Sequence, residues 1–453
     1  MNLEYILPSG QKVKLLNDDE MYLEISLKTC MMRAASGVTE LWRAHPFCWY
    51  VNTGRAQAIR KSRFLREDSA RARMDKYKAD LEYLFKELIK HPMFIREPEK
   101  LNEFKEFYKQ MLSETDEDNF DDFVMMATAM TVYFKDGHTN IEIPYSENDF
   151  CLFMPCDWRD SYTDGLEMSE SCHGIPRGAG IVAVEGMSIT ELVDKMAEVI
   201  PHENRYLVKS RMLHYPYINY HVFSEMNLHR LFDRKDKYTV EFLADGQIIR
   251  REIALTPYNN YPAFSDDKCP FYYELDEEGS RITVHIDACI CNREYENFLR
   301  EAACICEEKH IEAMLLDLSQ NMGGTTDVID RFIAYTHAEK YRQYAVFDYS
   351  EGYEKILSVR NVELINHRND KLFPTDIRLK VSYDTFSSAR TFAVTLLDNG
   401  IATLEEGCSG GKPDSYGAPI RGVMPESGVR FRVSTRYFMR PDGTRDEEES
   451  VLS

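Results

Sequence analysis

The sequence predicts a multidomain α/β protein, on three observations. At 453 residues the chain is too long for one ordinary hydrophobic core. Its pattern of apolar residues changes along the chain, from helical periodicity before about residue 140 to short strands and turns up to about residue 258. From about 270 strands and helices alternate, which is typical of a mostly parallel sheet covered by helices.

The N-terminal part has helical patterns. Apolar residues at helical spacing from Arg66 onward predict a long helix that stops at His91-Pro92. Two further helices fit 101–114 and 119–135, the last with Asp118 or Asn119 as its cap. We therefore predict a helical domain over 1–139.

The middle part alternates strands with turns. GAGIVAVEGMSITELVDKMAEVI predicts a strand, a turn and a capped helix, and YTVEFLADGQIIRREIAL predicts a hairpin around Asp245-Gly246. This combination resembles a PDZ domain, with the Tyr-, His- and Asn-rich stretch 201–235 as an insertion. Another small α+β module would also fit. We predict a PDZ-like peptide-binding region over 140–262.

The pattern of the C-terminal part, 263–453, predicts β–α–β alternation. The strands ITVHIDA, AMLLDLS, LKVSYD and IATLEEG alternate with the helices YENFLREAACICEEK, TDVIDRFIAYTH and SARTFAVTLLDNG. Reactive groups in such sheets collect at the carboxyl ends of the strands. Two loops are expected there, NMGG at 321–324 and TFSSA at 385–389.

Two adjacent serines, Ser387 and Ser388, lie at a strand-to-helix junction. A serine there presents its hydroxyl outside the sheet, beside unpaired N–H groups of the helix. The plain alternative is a helix N-cap. The adjacent glycines Gly323 and Gly324 allow main-chain N–H groups to approach a bound carbonyl oxygen. Lys412 in CSGGKP follows the serines, and an Asp-Gly-His-Thr turn at 136–139 precedes them.

These segments together resemble the C-terminal processing (tail-specific) peptidase family, the S41 serine peptidases. The family pattern is D-L-R-x-N-x-G-G, then S-A-S-E, D-x-G and G-K; here stand DLSQNMGG (317–324), SSAR (387–390), DNG (398–400) and GGK (410–412). The likeness spans roughly 130–450. It implies a crotonase-like catalytic domain, Ser387 as the nucleophile, and an oxyanion hole made by the Ser388 N–H with Gly323 or Gly324.

Two positions depart from the family pattern. Arg390 stands where the family often has Glu, and Ser319 replaces the usual Arg. Neither is the nucleophile or the base, so we expect altered substrate contacts rather than altered catalysis.

The general base is open between His138 and Lys412, because one branch of the family uses a Ser–Lys dyad and another, resembling tricorn-type and chlamydial proteases, uses Ser, His and Glu. A lysine base needs its pKa lowered by about 3 units, about 4 kcal/mol, whereas histidine needs no such shift. We therefore favour His138, with Lys412 binding substrate or shaping the site. Glu447, or alternatively Glu448, is the expected orienting acid. A histidine on a helix dipole and a solvated acidic tail are the alternatives for these groups.

Composition narrows the partners. Fifty-five basic against 76 acidic side chains give a net charge of −21, which disfavours nucleic acid and anionic membranes as partners. Eleven cysteines without a C-x-x-C pair indicate neither a zinc site nor a disulfide framework. Neither a signal peptide nor an apolar run of about 20 residues is visible, so we expect a cytoplasmic protein. GCSGGKP lacks the spacing of a phosphate loop, and we expect no metal or cofactor.

The resemblance implies a serine endopeptidase that acts on a peptide or protein substrate, captured by the PDZ-like region through its C-terminal carboxylate. The rival function is non-catalytic binding of a peptide or lipid on the same scaffold, because the family resembles retinoid-binding modules and 201–262 is rich in aromatics. Hydrolysis of a small amide or ester is a third possibility. The oligomeric state stays open.

Overall fold

The computed structural model of the protein describes residues 4–6, 12–14, 70–114, 120–142, 149–160, 162–213, 221–257, 269–359 and 362–445. The chain divides into two units, Met1–His45 and Pro46–Ser453. In the first unit the described residues form an antiparallel pair, β1 (Glu4–Ile6) and β2 (Lys12–Lys14). The helices and the other sheets all belong to the second unit. The predicted cap residues Asp118 and Asn119, and both Glu447 and Glu448, lie outside the described residues.

The N-terminal helices form one apolar core with strands from the far end of the chain. The helices are α1 (Ala70–Leu88), α2 (Met93–Arg96), α3 (Lys100–Glu114) and α4 (Phe120–Val132). The strands are β3 (Asn140–Glu142), β21 (Ile420–Val423) and β22 (Arg430–Val433), in the order β21-β22-β3. Leu81, Leu84 and Leu88 of α1 are fully buried, as their helical spacing predicts, and they share this core with Phe431 and Val433.

The middle region is a seven-stranded sheet, packed against helices on an apolar core of its own. The strands run in the order β4-β10-β9-β7-β6-β5, with β8 paired to β7. Their bounds are β4 (Phe150–Leu152), β5 (Cys156–Trp158), β6 (Leu166–Met168), β7 (Gly180–Val184), β8 (Met187–Ser188), β9 (Lys237–Ala244) and β10 (Gln247–Pro257). The helices are α5 (Ile189–Ala197), α6 (Arg205–Leu213) and α7 (Glu225–Leu231).

Two local signals explain this region. Ser188 and Glu191 form a capping box that begins α5. Asp245 and Gly246 both have positive φ, 51° and 73°, as a two-residue turn between twisted strands requires.

The third core belongs to a five-stranded sheet of order β11-β12-β13-β18-β19 and the helices packed on it. The edge pair β11–β12 is antiparallel and the other pairs are parallel. The strands are β11 (Phe271–Leu275), β12 (Arg281–Ile286), β13 (Ala313–Asp317), β18 (Asp376–Lys380) and β19 (Thr403–Glu406). The helices are α8 (Arg293–Glu308), α9 (Asp327–Ile333) and α10 (Ser388–Asp398). The predicted alternation of strands and helices is therefore present.

Two smaller sheets accompany this layer. One has the order β16-β15-β23-β20, and the other pairs β14 with β17. Their strands are β14 (Lys340–Arg342), β15 (Ala345–Asp348), β16 (Lys355–Ser358), β17 (Glu363–Ile365), β20 (Ser415–Gly417) and β23 (Arg436–Met439).

Several element predictions were wrong at their ends, and in two of them hydrogen bonds show the cause. Helix α9 stops at Ile333 rather than His337, because the Ile333 carbonyl accepts from the Thr336 hydroxyl and from the Asn366 amide. The strand predicted as LKVSYD ends at Lys380, because Ser382 and Thr385 bond to each other in a turn.

Candidate active site

Ser387 lies where the chain leaves the sheet and enters α10. Its backbone has φ 54° and ψ −126°, in a region that favours glycine. Ser387 occupies the N-cap position, yet its side chain makes no capping hydrogen bond. The hydroxyl is therefore held away from the helix, and the simple N-cap interpretation does not apply to this serine.

The Ser387 hydroxyl meets an imidazole instead. Ser387 Oγ lies 3.0 Å from His138 Nε2, although 249 residues separate the two in the chain. The ring of Phe386 stacks on the His138 ring, with centroids 4.6 Å apart. The His138 side chain is 13% exposed, so the pair is reachable from solvent.

The buried carboxylate of Asp136 fixes the turn that carries His138. Its Oδ1 accepts the His138 main-chain N–H at 2.8 Å, and its Oδ2 accepts from the Thr139 and Ser434 hydroxyls at 2.7 and 2.6 Å. The His91 Nδ1 accepts the Met93 N–H, so His91 Nε2 carries the proton and donates to Asp136 Oδ2 at 3.2 Å.

These donors keep Asp136 ionised. Burial alone would raise the pKa of this carboxyl, but the hydrogen bonds from His138 and His91 hold the pKa well below its ordinary value. Sequence reasoning recognised the Asp-Gly-His turn and gave Asp136 no role.

The other ring nitrogen of His138 faces two carboxylates. His138 Nδ1 lies 3.6 Å from Asp136 Oδ1 and 3.9 Å from Glu203 Oε1. Both distances exceed a hydrogen bond, and within the described part of the chain Nδ1 has no hydrogen-bond partner. Carboxylates on this side favour the tautomer with the proton on Nδ1, which leaves Nε2 free to accept a proton from Ser387.

Glu203 is a site residue that sequence reasoning missed. It lies two residues before α6, whose N-terminus is capped by the intervening Asn204, with the Asn204 side chain accepting from the Leu207 N–H at 3.0 Å. The Asn204 amide also donates to the Ser409 carbonyl at 3.1 Å, which ties this helix end to the GGK loop. The capping pattern was readable, but no local signal places this helix end beside His138.

Arg390 neutralises Glu203. Its guanidinium is buried, with Nη1 3.0 Å from Glu203 Oε2 and Nη2 2.6 Å from Ser415 Oγ. Burial raises the pKa of Glu203, and the charge of Arg390 opposes that shift. The expectation that Arg390 alters substrate contacts was wrong, because a side chain enclosed in this way cannot touch a substrate.

Lys412 takes part through its main chain. Its N–H donates to Glu203 Oε2 at 2.9 Å, and its carbonyl accepts from Arg390. Across the described ranges no hydrogen bond or ion pair involves the Lys412 ammonium. The geometry therefore places an imidazole, and not this amine, in hydrogen-bond contact with the Ser387 hydroxyl.

The glycine loop lies against the serines. Gly323 has φ 109°, and a Cβ there would come within 2.7 Å of Ser387 Cβ. Its N–H donates to the Asn321 side chain at 2.9 Å, so this N–H is already engaged. The Ser388 hydroxyl donates to the Gly324 carbonyl at 2.8 Å, which fastens the start of α10 to the loop.

The two serines thus differ in role. Ser387 presents a hydroxyl to His138, and Ser388 joins two structural elements. Asp136, His138 and Glu203 also offer ligand atoms that all lie within 4.8 Å of one another, although the sequence spacing indicated no metal site.

Comparisons with known proteins bear on the fold. No family model and no curated protein matches the chain. Mature CPAF in complex with lactacystin matches over 84% of this chain and 92% of its own, at 11% identity and a TM-score of 0.57. The structure of mature CPAF alone gives the same score over 84% and 91%. The chain shares its fold with mature CPAF.

The likeness at this identity concerns the fold alone, and it confirms the predicted mixed α/β, multidomain architecture. The photosystem II D1 C-terminal processing protease also matches, over 81% of this chain and 89% of its own, at 13% identity and a TM-score of 0.41. Among the described residues, no helix is both long and apolar enough to cross a membrane.

Proposed function

We propose that the protein is a serine peptidase of the S41 type, with Ser387 as nucleophile and His138 as general base. The observation that carries this proposal is the 3.0 Å contact between Ser387 Oγ and His138 Nε2, made by a serine in a strained junction and without a capping role. The motifs in family order and the fold shared with mature CPAF support it.

The proposed reaction passes through an acyl-enzyme on Ser387. Ser387 Oγ attacks the peptide carbonyl carbon while His138 Nε2 takes the hydroxyl proton. The Gly324 and Ser388 N–H groups are the proposed oxyanion donors, because the Gly323 N–H already bonds to Asn321. The imidazolium returns its proton to the leaving amine, and an acyl-enzyme remains. Water, deprotonated by the same imidazole, attacks the ester carbonyl and releases the acid and the Ser387 hydroxyl.

Asp136 is the ionised group nearest the imidazolium on the Nδ1 side, with Glu203 beside it. Their charges stabilise the protonated ring that forms during attack. Glu447 and Glu448 remain predictions as orienting acids.

The finer domain assignments belong to this proposal. The seven-stranded region, with its capped helix α5 and the β9–β10 hairpin, fits a PDZ-like module that captures a peptide. The parallel sheet with α8, α9 and α10 fits a crotonase-like catalytic domain. The substrate would be a peptide or protein, cleaved in the C-terminal processing mode that the motifs imply.

Covalent labelling with a fluorophosphonate tests the nucleophile. We expect wild-type protein to be labelled, Ser387→Ala to be unlabelled, and Ser388→Ala, a matched control one residue away, to keep its label. Equal labelling of wild type and Ser387→Ala would refute the assignment. Lactacystin, which mature CPAF binds, is a second probe whose competition with the label can be measured.

The same assay separates the two bases. A general base contributes about 10²- to 10⁴-fold, so we expect His138→Gln to slow labelling by that factor. Lys412→Met keeps the main-chain bonds of Lys412 and should change the rate less than about tenfold. The reverse order of effects would make Lys412 the base.

A further inference from the structure

Two buried atoms beside the base have no hydrogen-bond partner among the residues that the structure describes. They are His138 Nδ1 and Glu203 Oε1, which face each other at 3.9 Å. The Glu203 side chain is only 3% exposed. A buried polar atom left without a partner costs about 1–3 kcal/mol, so a ligand that bonds to both atoms would offset that cost.

A third atom completes a cluster. Asp136 Oδ1 lies 3.6 Å from His138 Nδ1, and the three ligand atoms lie within 4.8 Å of one another. Tetrahedral Zn²⁺ with bonds of about 2.0–2.2 Å holds its ligand atoms about 3.3–3.6 Å apart. The distances from His138 Nδ1 to the two carboxylate oxygens are therefore close to those of a zinc site. Small side-chain shifts would bring the two carboxylate oxygens to such a distance from each other.

The remaining bonds of these residues leave the cluster atoms available. Arg390 and the Lys412 N–H occupy Glu203 Oε2 and not Oε1. His91, Thr139 and Ser434 occupy Asp136 Oδ2, while Oδ1 accepts a single main-chain N–H. One imidazole and two carboxylates suit zinc, whereas magnesium prefers oxygen ligands and retains its water.

We propose that Asp136, His138 and Glu203 bind a zinc ion, and that bound zinc switches off the general base. The second half rests on the proposed function. When the metal takes the lone pair of Nδ1, the ring proton resides on Nε2, which then donates toward Ser387 Oγ. A ring in that tautomer cannot accept the serine proton, so attack on a carbonyl stops until the ion leaves.

Equilibrium dialysis of the full-length protein against Zn²⁺ tests the binding half without requiring activity. We expect wild type to bind one zinc more than His138→Gln, and Glu203→Gln to bind that ion at least about tenfold more weakly. Glu185→Gln is the matched control, because it removes an equal charge from a residue paired with Lys235 outside the cluster. Free thiols bind equally in all four proteins and cancel in the comparison.

Thermal unfolding tests zinc binding without the Glu203 variant, so misfolding of that variant does not affect the conclusion. Zinc should raise the Tm of wild type and of Glu185→Gln by more than that of His138→Gln; the same amount of Mg²⁺ should shift none of them. Equal zinc binding by wild type and His138→Gln would overturn the site.

Fluorophosphonate labelling tests the regulatory half. We expect zinc to suppress labelling of wild type, EDTA to restore it, and Glu203→Gln to need at least about tenfold more zinc. Zinc binding at the cluster without loss of labelling would overturn the regulatory half alone. Absence of labelling without zinc would count against the proposed function, while dialysis would still decide the metal site.

Discussion

The strained backbone of Ser387 predicts that glycine at this position makes the protein more stable than alanine does, which is the opposite of its usual effect. Both Ser387→Ala and Ser387→Gly remove the hydroxyl, so they differ mainly in what φ 54° and ψ −126° cost the backbone. Such a conformation costs a residue with a Cβ about 1–3 kcal/mol, and glycine adopts it without that cost. The greater freedom of glycine in the unfolded chain subtracts about 0.4–1 kcal/mol. We expect Ser387→Gly to be more stable than Ser387→Ala by about 1 kcal/mol.

Hydrogen exchange of peptides from α10 measures this difference locally, because exchange of buried amides reports the free energy of opening. About 1 kcal/mol corresponds to about fivefold slower exchange in Ser387→Gly than in Ser387→Ala. The control is Asn297, an exposed position inside α8, where Asn297→Gly should be less stable than Asn297→Ala by about 1 kcal/mol.

Opposite signs at the two positions are the expected result. Exchange in Ser387→Gly that is as fast as in Ser387→Ala, or faster, would refute the claim that this junction stores strain. It would also weaken the inference that the serine is held in place for chemistry and not for folding.

Three further predictions concern the surroundings of the site. Arg390→Met should lower the free energy of unfolding by about 3–5 kcal/mol in urea titrations, because it leaves the buried Glu203 charge unpaired; a loss below about 1 kcal/mol would contradict the ion pair. Gly323→Ala should abolish fluorophosphonate labelling, because its Cβ would lie 2.7 Å from Ser387 Cβ, whereas Gly352→Ala, which shares a positive φ and meets nothing within 4 Å, should keep it. Burial lowers the pKa of His221 to about 4. Between about pH 6.5 and about pH 4 only the unfolded chain therefore binds a proton at this histidine, and the free energy of unfolding should fall by about 3 kcal/mol across that range. The pH dependence of urea midpoints should weaken in His221→Gln and persist in His310→Gln, a control on the surface.

The parts of the site that lie within single strand–loop–helix segments could be predicted from the sequence. Ser387 and the NMGG loop each follow a parallel strand, and parallel strands bring such loops to one edge of the sheet. Helix α10 begins at Ser388, as predicted, and ends at Asp398, two residues before the predicted end at Gly400. The position of the two serines at this junction therefore followed from local sequence, whereas the choice between them came from the family resemblance.

The residues around His138 Nδ1 could not be found in that way. Asp136 and Glu203 are 67 residues apart, and their approach depends on how α4 and α6 pack in the folded chain. An acidic residue just before a capped helix is common, so nothing local distinguishes Glu203 from a solvated side chain. Its burial becomes plausible only once Arg390 is placed beside it.

The stretch 201–235, predicted as an insertion in the middle region, supplies much of the support for His138. Arg211 donates to the Gly137 carbonyl and to the Pro201 carbonyl, each at 2.5 Å, and so joins the turn that carries His138 to the start of this stretch. A Cβ on Gly137 would lie 2.6 Å from Leu207, which shows how closely α6 packs against the turn. Because Glu203 lies just before α6 and Arg211 lies within it, and both approach the turn that carries His138, a shift of α6 would move the Glu203 carboxylate and this turn together. Arg390, read from the sequence as a change in substrate contacts, belongs to the same unit, since it fixes Glu203 against the GGK loop.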